Sequence, residues 1–137
     1  MTRTRAFFDS NIPLYLLSED AAKADRAEAL IAQGGVISVQ VLNESARVLS
    51  RKRLLNCDAI DEFLRTLRAV CEVRPLTVET HEQALVLARR HGFSFFDAVI
   101  VASALEAGCD TLYSEDFQHG MRVEDRLLIA NPFRSAL

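Results

Sequence analysis

Four acidic residues, Asp9, Glu44, Asp97 and Asp116, sit where a folded chain can gather carboxylates. Side by side they would repel, and the cluster would destabilise the fold unless protons or cations were bound. Hard divalent ions meet that need. Mg²⁺ and Mn²⁺ prefer oxygen ligands and retain water, whose pKa the ion lowers while it neutralises the charge on a phosphodiester. Hydrolysis of a phosphate ester is the chemistry such a cluster suits.

Each acid also has an ordinary role open to it. Asp9 can cap the short helix that follows. Glu44 can be a solvent-facing helix residue at the rim of an apolar stripe. Asp97 completes a Ser-x-x-acid capping pattern with Ser94, and Asp116 can serve a turn. Taken singly, no position decides between the readings.

The elements that must carry these residues are readable from pattern. Arg5 to Phe8 is an apolar run ending at Asp9-Ser10-Asn11, as a buried strand does on entering a polar turn. A helix over about Glu19 to Gln33 stops at Gly34-Gly35, and Val36 to Val39 reads as a second strand. The helix over about Gln40 to Arg53 has a stripe of Val41, Leu42, Ser45, Val48 and Leu49, with Glu44 at its edge. Asp58 to Ala69 is a further helix, Glu72 to Pro75 a weak strand, and Thr80 to His91 a helix opened by Thr80-x-x-Gln83 and closed by Gly92. Ser94 introduces a helix apolar nearly all round as far as Ala107. Thr111 to Tyr113 is a strand ending in Ser114-Glu115-Asp116, a loop with Gly120 follows, and Leu127 to Ala130 is a last short strand.

Alternating strands and helices imply parallel strands joined by right-handed crossovers, with helices on both faces. Sites in such folds form beyond the carboxyl ends of the strands. Asp9 and Asp116 follow strands, while Glu44 and Asp97 fall in early helical turns, so all four are expected at one edge.

At 137 residues, half of them hydrophobic, the chain is expected to be one globular domain spanning 1–137. Its apolar stretches are too short to cross a bilayer and the amino terminus lacks an apolar signal core. Cys57, Cys71 and Cys109 are odd in number and far apart, which reads as reduced thiols in a cytoplasmic protein. A formal charge of −3 argues against nucleic-acid binding through overall positive charge, but a local patch remains open. Arg47, Arg51, Lys52 and Arg53 are candidates to lead a phosphate backbone toward the carboxylates, although cations near a helix end also favour the helix dipole. Phe95 and Phe96 are read as core packing rather than stacking platforms, and none of His81, His91 and His119 is assigned to catalysis. Phe7, Ile12, Leu14, Tyr15 and Leu16 form an apolar surface that either buries itself or supports a homodimer.

In succession, Phe7-Phe8-Asp9-Ser10-Asn11, Val41-Leu42-Asn43-Glu44, Phe95-Phe96-Asp97-Ala98 and Leu112-Tyr113-Ser114-Glu115-Asp116-Phe117 resemble the four acidic motifs of PIN domains, over essentially the whole chain. The resemblance implies a three-layer α/β/α domain with a central parallel sheet that cleaves RNA with Mg²⁺ or Mn²⁺. Short stand-alone members are often VapC-type toxins held inactive by an antitoxin. Asp9, Glu44, Asp97 and Asp116 carry over as catalytic acids, with Asp9, Asp97 and Asp116 as metal ligands. Ser114 and Asn11 carry over as supporting groups, and Glu115 as an extra acid beside Asp116. The alternatives kept open are a DNA or structure-specific nuclease of the same fold and a non-catalytic cation-binding interaction module. A phosphoacceptor domain fits poorly, since no Asp-x-Asp follows the first strand and no Lys follows the late one.

Overall fold

The computed structural model describes residues 4–52 and 55–134. The first half of the chain runs β1 (Ala6–Phe8), α1 (Asn11–Leu14) with a 3₁₀ turn (Tyr15–Leu17), α2 (Ala21–Ala32), β2 (Val36–Ser38), α3 (Val39–Arg51) and α4 (Cys57–Val70). The second half runs β3 (Glu72–Arg74), α5 (Val78–His91), α6 (Phe95–Glu106), β4 (Thr111–Tyr113), β5 (Arg122–Val123) and β6 (Leu127–Ala130).

The six strands of the described residues join one sheet in the order β3-β2-β1-β4-β6-β5, parallel except for β5 against β6. The chain steps outward from β1 to β2 to β3 through α1 to α4, then returns to β4 through α5 and α6. Right-handed crossovers running in opposite directions put these two helix sets on opposite faces, which gives three layers. The reversal falls between β1 and β4, so the crevice at their carboxyl ends is the topological switch point. That crevice is where Asp9 and Ser114 emerge.

Strand residues Phe7, Phe8, Ile37, Leu112 and Ile129 are essentially inaccessible. Against them lies α6, buried from Ala98 through Leu105, which explains why its sequence lacks a polar face. Gly34 ends α2 with φ +88, and a Cβ at Gly35 would stand 2.3 Å from a Phe8 ring carbon, so the glycine lets β2 lie against that ring. Among the described residues, no helix is long and apolar enough to cross a membrane.

Several expectations change. Val39 opens α3 rather than closing β2. The start of α5 is capped by Thr77, whose Oγ1 accepts from the Thr80 N–H at 3.1 Å, so the Thr80-x-x-Gln83 box is not the one formed. The loop after Asp116 contains β5, a strand too short for periodicity to reveal, and its antiparallel pairing makes the sheet mixed. Phe7 and Ile12 are fully buried, leaving Leu14, Tyr15 and Leu16 half-buried at the surface. Phe96 is not core: it is 67% exposed, two residues ahead of the buried run, while Phe95 packs edge-on to it at 5.6 Å.

Candidate active site

Asp9 leaves β1 with its backbone N–H still on the Tyr113 carbonyl, which continues the ladder to β4. Its side chain is 4% exposed. One carboxylate oxygen accepts from the Ser114 hydroxyl and the other from the Ser10 N–H, both at 2.7 Å. The carboxylate therefore binds Ser10, the N-cap residue of α1, which makes no side-chain cap of its own.

From Ser114 the network reaches Asp116. The Ser114 Oγ accepts from the Asp116 N–H at 3.1 Å and from Asn11 Nδ2 at 3.4 Å. Asn11 Nδ2 also donates to Asp116 Oδ2 at 3.0 Å, while Asn11 Oδ1 is buried with no partner. On the other flank, Ser10 Oγ donates to Glu44 Oε2 at 3.4 Å, and Gln40 Nε2 donates to Glu44 Oε1 at 3.0 Å. Glu44 is thus turned inward and held from two sides.

Burial pushes the Asp9 carboxyl up to about 6, and the nearby charges of Glu44 and Asp116 push the same way against the Ser114 and Ser10 bonds. These three acids share one electrostatic neighbourhood. Asp97 lies in the first turn of α6, whose Phe96 carbonyl accepts from the same Gln40 amide that holds Glu44. Ser94 Oγ accepts from the Asp97 N–H at 3.3 Å, but the reciprocal bond to the Asp97 carboxylate is not made. The cap therefore uses the Asp97 backbone and leaves its carboxylate free of that duty.

Among the described residues, no three acidic, histidine or cysteine side chains close around an ion-sized space. An ion that retains most of its waters and takes one or two carboxylates suits such an arrangement, as Mg²⁺ does. The donors here are all oxygen, and among the described residues Asp9 is buried with no cationic partner and Asn11 Oδ1 is an unused buried acceptor. A hard divalent cation fits these residues.

Other candidates lie apart. Glu115 turns away from the crevice: its Oε1 accepts from the Tyr15 hydroxyl at 2.5 Å and Lys23 Nζ stands 3.9 Å from Oε2. Arg47 is exposed beside a cavity of about 300 Å³ that Glu44 also lines. Arg51 and Lys52 are exposed farther along α3, and Arg53 lies outside the described residues. Sequence reasoning missed Gln40 and Ser10. Gln40 was detectable as an amide one helical turn before Glu44, at a position that is 94% covered (6% exposed). His119 Nδ1 accepts from the Asn131 N–H and His81 packs on Phe95, both structural contacts.

The mostly parallel sheet with its reversal between β1 and β4 and acids at that crevice define the class. Residues 6–120 match the PIN domain family, and the chain belongs to that family. No curated protein sequence matches significantly. Among solved structures, the fold is similar to a chain of a toxin–antitoxin complex from Klebsiella pneumoniae, with TM-score 0.71 and 18% identity over 95% of this chain and 99% of the other. It is similar to VapBC2 from Rickettsia felis bound to a DNA fragment from its promoter, with TM-score 0.69 and 17% identity over 93% and 98%. It is also similar to Mycobacterium tuberculosis VapC20, a sarcin–ricin loop cleaving toxin, with TM-score 0.59 and 24% identity over 78% and 86%.

Proposed function

We propose that this protein is a metal-dependent endoribonuclease, acting as the toxin of a VapBC-type toxin–antitoxin pair. One observation carries the reading: a buried carboxylate, Asp9, at the switch point of a PIN fold, flanked by Glu44 and Asp116 with no ion pair to any of the three among the described residues. Asp9, Asp97 and Asp116 would hold Mg²⁺ or Mn²⁺, in part through waters the ion retains, and the ion would supply charge neutralisation at the phosphodiester and acidify a water. Glu44, hydrogen-bonded by Ser10 and Gln40, would position that water. Ser114 fixes the Asp9 carboxylate, and Asn11 holds Asp116 against the same hydroxyl.

The toxin reading is supported by the toxin–antitoxin complexes among similar folds. An antitoxin segment presenting Arg or Lys to Asp9 and Glu44 would replace the metal's charge and silence the site.

The test pairs matched RNA and DNA oligonucleotides with the purified protein in Mg²⁺, Mn²⁺ and EDTA. Cleavage of RNA alone, lost in EDTA, is expected. Cleavage of DNA at an equal rate would replace the reading with a general nuclease, and no cleavage of either with intact metal binding would leave a cation-binding module.

A further inference from the structure

Among the described residues, Phe96 is the aromatic side chain left largely in solvent, and it stands at the candidate active site. It is 67% exposed, whereas Phe95 beside it is half-buried against the core. Its backbone is held firmly: the carbonyl accepts from Gln40 Nε2 at 3.0 Å, and that amide also binds Glu44. Behind the ring, Phe95 packs edge-on at 5.6 Å and His81 packs on Phe95 at 5.5 Å. A supported but uncovered aromatic face is the geometry of a stacking platform.

The ring borders the cavity of about 300 Å³ lined by Gln40, Asn43, Glu44, Arg47, Leu76 and Phe96. This volume is at the lower end of small-ligand sites, which run from about 300 Å³ upward. Asn43 and Arg47 are four residues apart on α3 and so share a face, offering an amide edge and a guanidinium beside the ring. An apolar partner would leave both polar groups without matching chemistry. A nucleotide uses all three: a base for the ring, a base edge for the amide and a phosphate for the cation. Because Glu44 lines the cavity as well as the acidic crevice, its occupant lies next to the reacting phosphodiester.

We propose that this cavity is a nucleobase subsite, in which Phe96 stacks an unpaired base adjacent to the scissile phosphate, Asn43 meets the base edge and Arg47 a flanking phosphate. The proposal rests on the ribonuclease reading and names how that substrate is gripped. Stacking holds substrate and transition state equally, so its removal raises KM and leaves kcat nearly unchanged.

The chain contains no tryptophan, so Phe96→Trp installs a single fluorophore at the subsite. Titration with a mixed-sequence single-stranded RNA oligonucleotide in EDTA is expected to quench its emission, and the same sequence as a full duplex to quench it little. In Mg²⁺, Phe96→Ala and Phe96→Leu are expected to raise KM about tenfold, with Phe96→Trp close to wild type. RNA cleavage with the same KM in all four proteins would overturn the subsite and leave the ribonuclease reading standing. Absence of RNA binding and cleavage by wild type would overturn both. Sedimentation of wild type and Phe96→Ala supplies the remaining outcome: dissociation of an oligomer would show that the ring joins two copies of the chain and would overturn the subsite.

Discussion

At the amino ends of the strands, Glu72 is answered by Arg5, which donates from Nη2 to both carboxylate oxygens at 3.1 and 2.9 Å, and by Arg74 at 3.8 Å. At the carboxyl ends, Asp9, Glu44 and Asp116 receive hydrogen bonds from serine, asparagine and glutamine only, with no ion pair to them among the described residues. Exposure runs the opposite way to need. The Glu72 side chain, at 44% exposure, keeps water as well as two cations, whereas Asp9 at 4% keeps neither. One end of the sheet satisfies its acids for stability, and the other holds them hydrogen-bonded but with their charge unsatisfied, which is a cost to the isolated fold and an affinity for a cation. Acids of the same kind thus do different work according to what the fold sets beside them.

The largest expected effect is on catalysis at the unsatisfied end. Asp97→Asn should reduce RNA cleavage to background while shifting unfolding free energy by less than about 1 kcal/mol, because the Ser94 cap bonds the Asp97 backbone and not its carboxylate. Thermal unfolding and cleavage measured on one preparation check it. A folded variant that cleaves at the wild-type rate would remove Asp97 from the site.

The next effect is on stability. Asp9 has a folded pKa of about 6 against an ordinary 3.8, so between those values the native state binds more protons than the unfolded chain. Its contribution to stability is therefore greatest at low pH and falls as pH rises from about 4 to 6, by about 3 kcal/mol in total. Asp9→Asn removes this dependence. In EDTA, urea unfolding should show the variant gaining on wild type as pH rises to 7.5, and Mg²⁺ should close the gap by stabilising wild type alone. A gap independent of pH would mean that the carboxylate is not strained by burial.

Much of this frame was readable beforehand because its signals are local. The apolar run into Asp9, the glycine after α2 and the all-round apolar α6 each reflect one element meeting the core, and the structure places each as expected. What escaped depended on contacts between elements. β5 pairs only through a turn whose Glu124 and Asp125 take φ of 54 and 53 without glycine, so no turn residue announced it. Phe96 shares its type with half-buried Phe95, and only the docking of α6 decides which ring is covered. The acids themselves were visible at their positions, but the Gln40 amide that ties Glu44 to α6 became meaningful only once both of its partners were in place.

The smallest expected effect tests the satisfied end. Glu72→Gln keeps the side-chain shape and an acceptor for Arg5 but removes the charge. Arg5 retains its 2.7 Å bond from Nε to the Ala107 carbonyl, so no buried group is orphaned. Both partners are nearly half exposed, at 42% and 44%, and water screens the pair, so the loss should be about 0.5 kcal/mol. In 1 M NaCl the Debye length falls to about 3 Å and the difference should vanish. Cleavage should be unchanged, because this edge lies at the opposite end of the strands from Asp9. A cost above about 2 kcal/mol, or one that survives high salt, would show that Glu72 is held as tightly as Asp9. The contrast between the two ends would then lie in the identity of their donors and no longer in how far each acid is left unsatisfied.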